Sequence, residues 1–135
     1  MTTVFTNGAF DVLHRGHVEY LQFAKNQGDK LIVGINSDES IRNYKGASRP
    51  YNRLADRMAV LQALACVDFV IPFYDDEPLE LIKKIRPNII VKGSDWAHYV
   101  CGQDFIESYG GRVVLYPVIE GHSSTKLINK LDKNQ

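Results

Sequence analysis

Thr3-Val4-Phe5-Thr6-Asn7-Gly8-Ala9-Phe10-Asp11-Val12-Leu13-His14-Arg15-Gly16-His17 is the stretch that decides the fold, because a short apolar run stops at a glycine and turns directly into a helix start. Gly8 tolerates close backbone approach, and the helix opened by His14-Arg15-Gly16-His17 begins with amides that have no internal partner. Free amides and the positive end of a helix dipole attract anions, and imidazoles three residues apart are neighbours on the first turn. Gly16 removes a side chain where a ligand would pack. A single histidine here would read as an ordinary polar residue. Two flanking a glycine, straight after a strand and a turn, read as a nucleotide-phosphate site. Zinc fits less well, since helical zinc pairs are spaced i, i+4 and have a third ligand nearby, so no metal ligand is assigned.

Working outward, short apolar runs recur at Leu31 to Ile35, Phe69-Val70-Ile71, Ile89-Ile90-Val91 and Val113-Val114-Leu115. Nearly continuous runs of this kind suit strands buried on both faces. Val18, Leu21 and Ala24 recur at helical spacing between them, as do Met58, Leu61 and Ala65, and Leu79, Ile82 and Ile85. Gly28 follows the first of these segments as a stop. The alternation predicts an α/β chain with a doubly wound, five-stranded parallel sheet and helices on both faces. Such sheets bind ligands beyond the carboxyl ends of their strands. Gly8 to His17, Ser37-Asp38, Lys92 to Asp95 and Glu120 to Thr125 each follow a strand, which places four polar clusters on one rim. Tyr44 to Arg57 carries Lys45, Arg49, Arg53 and Arg57 with Gly46 and Pro50 as breakers, and reads as a basic loop leading into a helix.

The 135 residues suit a single domain, 1–135. Formal net charge is zero, which argues against nucleic acid or an anionic membrane as partner and leaves anion binding to local clusters. No apolar stretch approaches the roughly 18 residues of a spanning helix, and the first residues lack a secretory pattern, so a cytoplasmic protein is expected. Cys66 and Cys101 are far apart in sequence and read as structural thiols.

The chain resembles the His-x-Gly-His nucleotidyltransferases, which include small cytidylyltransferases and sugar-phosphate adenylyltransferases. The resemblance runs through Thr6 to Asp11, the histidine pair, Gly28-Asp29, Leu31 to Asp38, Lys45-Gly46-Ala47-Ser48-Arg49-Pro50, Arg57-Met58, Val91-Lys92-Gly93-Ser94-Asp95 and Ser123-Ser124-Thr125. It implies a Rossmann-like fold and attack by a phosphate oxygen on the α-phosphorus of a nucleoside triphosphate, with pyrophosphate leaving. The attacker is already an anion, so such catalysis consists of positioning and charge stabilisation and needs no Ser/His/Asp triad.

The resemblance implies that His14 and His17 donate to the triphosphate and that Lys45, Arg49 and Arg57 supply cations to the phosphates. Asn7, Gly8, Ala9, Phe10, Asp11 and Gly16 would line the nucleotide site, with Lys92, Gly93 and Asp95 near base and ribose. Ser123, Ser124 and Thr125 would cap a last helix and hold the β- and γ-phosphates, while the role of His122 stays open. Asp11 has two readings, a cap orienting backbone amides or a direct metal or substrate contact, and the cap is preferred. Mg²⁺ would ride on the nucleotide phosphates. Trp96 to Gly102 would cover the sugar end.

Two branches compete. Ala9 stands where glycerol-phosphate cytidylyltransferases carry Thr, and Val118-Ile119 where they carry Arg-Thr, while Asp95-Trp96 matches them. The Lys-Gly-x-Ser-Arg-Pro loop and Val-Lys-Gly before Asp95 look like the adenylyltransferases that activate D-glycero-D-manno-heptose 1-phosphate for lipopolysaccharide synthesis. In many relatives that domain is fused behind a sugar kinase, which here would be a separate protein. The expected function is therefore ATP plus heptose 1-phosphate to ADP-heptose, with a CTP-dependent cytidylyltransferase second and a non-catalytic nucleotide-binding module third. Sugar or polyol phosphate is the expected co-substrate, and the resemblance implies a homodimer.

Overall fold

The computed structural model describes residues 1–118. In chain order its elements are β1 (Thr3–Gly8), α1 (Arg15–Asn26), β2 (Lys30–Asn36), α2 (Asp38–Lys45), α3 (Leu54–Gln62), β3 (Phe69–Phe73), α4 (Leu79–Ile85), β4 (Ile89–Gly93), α5 (Gln103–Glu107) and β5 (Arg112–Tyr116). A single 3-10 turn, Ser94–Trp96, follows β4. All five strands pair in parallel in the order β3-β2-β1-β4-β5. The fold is thus the doubly wound α/β sheet that the apolar runs predict.

Alternation along each strand divides the core. Val4, Leu31, Val33, Ile35, Ile89 and Val91 pack in one cluster with Leu21 and Ala24 of α1 and Leu61 of α3. Phe5, Ile32 and Ile90 point the other way, onto Ile82 of α4 and Ile106 of α5. Successive side chains of a strand face opposite sides, so one run of apolar residues supplies both layers.

Strand order reverses at β1, whose neighbours are β2 and β4. A crevice opens where the connections leave such a reversal in opposite directions, and the polypeptide following β1 and β4 lines it. Two connections differ from expectation. The basic segment expected as a loop from Tyr44 is helical through Lys45, and the irregular part is only 46–53. Asp38, Glu39, Arg42 and Lys45 match the helix dipole at the two ends of α2, and Ser37 caps it by accepting from the Ser40 amide at 3.2 Å. The loop after β3 also carries an acidic pair, Asp76-Glu77, on the same rim.

Candidate active site

The turn between β1 and α1 is held by its own histidines. His14 is the N-cap, its Nδ1 accepting from the Gly16 amide at 3.0 Å, and His17 Nδ1 accepts from the His14 amide at 3.3 Å. Imidazoles thus take the two roles usually filled by Ser/Thr and Glu in a reciprocal cap. A nitrogen that accepts carries no proton, so each ring can donate only from Nε2. The rings lie 4.1 Å apart, and the edge of Phe10 meets His17 at 5.6 Å. Burial, then the nearby charges of His14 and Lys45, pushes the His17 pKa down to about 4. At neutral pH His17 is an uncharged N–H donor.

Phe10 adopts a left-handed backbone, φ 48°, a conformation costing a non-glycine residue about 1 kcal/mol or more. That bend lays its ring against Gly8, where a Cβ would stand 2.9 Å from Phe10 Cε2. Across the crevice, a Cβ on Gly93 would meet Asp95 Oδ1 at 2.5 Å and Val118 Cγ2 at 2.7 Å. Glycine at both positions lets the backbone and its ring neighbours form the two sides of a cavity of about 310 Å³.

His17, Gly16 and the segment Asn7 to Phe10 line one side of that cavity, and Lys92, Gly93, Asp95 and Trp96 the other. Lys45 reaches it from the end of α2. Lys92 Nζ donates to Asn7 Oδ1 at 3.3 Å and lies 5.2 Å from the centre of the Trp96 ring. Burial lowers the pKa of Lys92 and of Lys45, which makes a partnering anion more valuable to each. Tyr20, a residue the sequence reading passed over, bonds Thr6 Oγ1 at 2.6 Å and donates to the Val91 carbonyl at 2.9 Å. It ties α1 to β1 and β4 beneath the cavity; only its position on the inner face of α1 could have signalled this.

Arg57 requires a correction. Expected to grip phosphate, it is instead 1% exposed and commits its guanidinium to the protein. Nε donates to the Asn52 carbonyl at 3.0 Å, one terminal nitrogen to the carbonyls of Ala9 at 2.9 Å and Asn36 at 2.8 Å, and the other to Asp38 at 2.6 Å. It joins the ends of β1 and β2, the start of α2 and the loop before α3. Asp11 is corrected likewise. Its carboxylate is 4% exposed and accepts from the amides of Tyr51 and Asn52, each at 2.7 Å, so it orients amides of a distant loop and not of its own helix, and it lines no cavity described here. Both are positioning residues.

Arg49 lies over the Tyr51 ring at 4.6 Å, outside the cavity lining, with its buried Nε–H unbonded among the described residues. His14, its ring 4.1 Å from that of His17, is not part of the cavity lining. Ser123, Ser124, Thr125 and His122 lie outside the described residues. Among the described residues no three His, Cys, Asp or Glu side chains form a metal-binding group.

Residues 5–130 match the model of the cytidylyltransferase-like family. The chain belongs to the cytidylyltransferase-like family. Membership makes it a nucleotidyltransferase domain. It is 52% identical over 131 residues to the bifunctional protein HldE of Syntrophotalea carbinolica, covering 96% of this chain and 27% of that protein. It is 46% identical over 129 residues to HldE of Pseudomonas paraeruginosa, covering 95% and 27% respectively. The chain therefore spans about a quarter of the length of the curated relatives it matches. A lipopolysaccharide core biosynthesis protein from Thermoplasma volcanium superimposes with a TM-score of 0.71 at 30% identity, covering 88% of this chain and 97% of that one. Pantoate-β-alanine ligase from Francisella tularensis, at 17% identity, covers 95% of this chain and 65% of that one, with a TM-score of 0.68; it shares the fold.

Proposed function

We propose that this domain transfers AMP from ATP to D-glycero-D-manno-heptose 1-phosphate, giving ADP-heptose and pyrophosphate. The observation that carries the reading is the reciprocal histidine cap, which fixes two imidazoles as Nε2–H donors, with His17 in the wall of a cavity shared with Lys45 and Lys92. A sugar-phosphate oxygen attacks the α-phosphorus, a new P–O bond forms, and the bond to the β-phosphate oxygen breaks. Negative charge gathers on the transferring group and on pyrophosphate. His17 and His14 donate to the transferring phosphoryl oxygens, and donors fixed before reaction need no reorganisation as charge builds. Lys45 and Lys92 draw the two anionic reactants together. Arg49, stacked on Tyr51 with an open N–H, serves the outer phosphates from the loop. Asp95 and Trp96 face the nucleoside.

Mg²⁺ belongs to the proposal as an ion carried by the triphosphate. The donor set fits that role, since the cavity wall holds Asp95 and a Glu19 already paired with Arg15 at 2.7 Å, and an ion held mainly by phosphate oxygens and water needs no protein cage. When bound, it neutralises the leaving pyrophosphate.

The name of the lipopolysaccharide core biosynthesis neighbour and the HldE relatives support heptose phosphate as acceptor. The homodimer is proposed from the family resemblance and is checked by light scattering. No helix among the described residues is long and apolar enough to cross a membrane, and a cytoplasmic location remains part of the proposal. Pyrophosphate release with ATP and CTP, each against heptose 1-phosphate and glycerol 3-phosphate, tests the reading. ATP with heptose 1-phosphate should be fastest, and a preference for CTP with glycerol 3-phosphate would assign the domain to the cytidylyltransferase branch.

A further inference from the structure

The cavity opens where two neighbouring strands stop pairing inside the sheet. β1 and β4 are matched only at Val4 with Ile89 and at Phe5 with Ile90. On its other side β1 stays paired with β2 as far as Gly8, and β4 stays paired with β5 as far as Gly93. The two strands therefore part after Phe5 and Ile90 while their outer partners hold on. Asn7 and Gly8 on one side of the gap, and Lys92 and Gly93 on the other, line the cavity. A parting of this kind leaves backbone groups without their ladder partners, and a buried carbonyl that lacks a donor is costly.

Val91 stands at the point of parting, fully buried, and two side-chain hydroxyls take its carbonyl. Thr6 Oγ1 on β1 donates to it at 2.8 Å and the Tyr20 hydroxyl on α1 at 2.9 Å, with 2.6 Å between the two hydroxyl oxygens. Two hydrogens serve three contacts, so either hydroxyl can donate to Val91 while the other donates to its neighbour. Thr6 is wholly buried, and burial raises the Tyr20 pKa, so the phenol keeps its hydrogen. The Tyr20 ring meets Tyr116, at the end of β5, edge to face with 5.5 Å between centroids. One residue further along each strand the cavity wall begins. Asn7 follows Thr6, Lys92 follows Val91, and their side chains meet across the gap at 3.3 Å.

We propose that Thr6 and Tyr20 are positioning residues, a hydroxyl spacer that holds β1 and β4 apart and so sets the distance between the histidine wall and the Lys92 wall across which the nucleotidyl group is transferred. The assignment rests on the nucleotidyl-transfer reading above. The spacer acts through the backbone of Val91 and needs no contact with nucleotide. Misplacing a reacting group by about 1 Å costs on the order of a hundredfold in rate, so a small collapse or widening of the gap reaches the chemistry. Because either hydroxyl satisfies the carbonyl, loss of one leaves the spacer largely in place. Loss of both removes it.

The test is a double-mutant cycle in the full chain, Tyr20→Phe against Thr6→Val, each of which removes a hydroxyl and keeps the shape. Pyrophosphate release with ATP and heptose 1-phosphate gives kcat and KM, calorimetry gives ATP affinity, and urea unfolding gives stability. Each single variant should lose about threefold in kcat and the double about a hundredfold, well beyond the roughly tenfold that independent losses would give. ATP affinity should stay within about twofold throughout, because the spacer serves alignment and not ground-state binding. Thr6→Ser retains the hydroxyl and should keep the parental kcat. Losses that merely multiply, or a double variant that is destabilised yet turns over like the parent, overturn the proposal. Weakened ATP binding in Tyr20→Phe at parental kcat also overturns it, since the phenol would then be a nucleotide ligand. Where the double variant fails to fold, the single variants decide, and parental kcat in both overturns the proposal. All these results leave nucleotidyl transfer standing, whereas a parent that releases no pyrophosphate with either nucleotide and either acceptor removes that reading and this one with it.

Discussion

The histidine turn and the loop 46–53 flank the same end of the sheet, yet they are fixed in opposite ways. At the helix start the histidine bonds are local: His14, Gly16 and His17 bond one another within three residues. The loop is fixed by partners 21 to 48 residues apart in sequence, with Asp11 holding the amides of Tyr51 and Asn52, and Arg57 reaching Ala9 and Asn36. A locally built donor pair is ready before any ligand arrives. A loop held by one carboxylate and one guanidinium depends on the rest of the fold being in place, so damage to those two residues should spread.

Arg57→Met is the largest break in this comparison. It removes the donor from three carbonyls and leaves the Asp38 carboxylate without its ion-pair partner, so urea unfolding should show a loss of about 3–5 kcal/mol. Unchanged stability with lost phosphate binding would return Arg57 to the role that its sequence position first implied. His17→Ala should act on the other quantity. Turnover should fall on the order of a hundredfold to a thousandfold, with much less change in nucleotide affinity, because this donor serves the transition state. An equal loss in both would make His17 a ground-state ligand.

The same contrast governs what could be read in advance. Strands were legible because apolar runs of β-branched residues announce themselves, and the histidine turn was legible because its spacing is itself the mechanism. Lys92 and Gly93 follow from being placed at the end of a strand, and Lys45 from the basic segment shared with the family. Arg57 was misread because an arginine in a basic segment carries no mark of burial, and its four acceptors come from positions scattered between residues 9 and 52. Tyr20 was passed over because a tyrosine on a helix carries no mark of the strands it bonds. Local chemistry is written in sequence spacing, and long-range bonding is not.

Acidification should separate the two regions further. The folded pKa of His17, about 4, lies below its ordinary 6.5, so between these values the unfolded chain takes up the proton and the folded one does not. Stability tied to this residue is complete above pH 6.5 and is lost as pH falls toward 4, by about 3 kcal/mol at most. Bound triphosphate supplies the anion that a protonated imidazole needs and should raise this pKa, so nucleotide binding near pH 5.5 should take up protons. Calorimetry in buffers of different ionisation enthalpy measures that uptake, and its absence would separate His17 from the phosphates. His17→Ala should abolish the uptake and flatten this part of the acid slope.

Asp11→Asn should produce the smallest change, and the most informative one about the loop. The substitution preserves shape and leaves one oxygen to accept, so one of the two amides, Tyr51 or Asn52, keeps its partner while the other faces an NH₂ group. About 1–2 kcal/mol of stability should go, since a single hydrogen bond is lost and one backbone donor is left facing another. The kinetic signature matters more. Loosening Tyr51 also loosens Arg49, which lies over its ring, whereas Lys45 belongs to α2 and His17 to α1. The KM for nucleotide should therefore rise several-fold at nearly constant kcat, the pattern of weakened uniform binding. A kcat that falls as steeply as in His17→Ala would show that the loop contributes to the transition state itself, and the division between a preset turn and a dependent loop would fail.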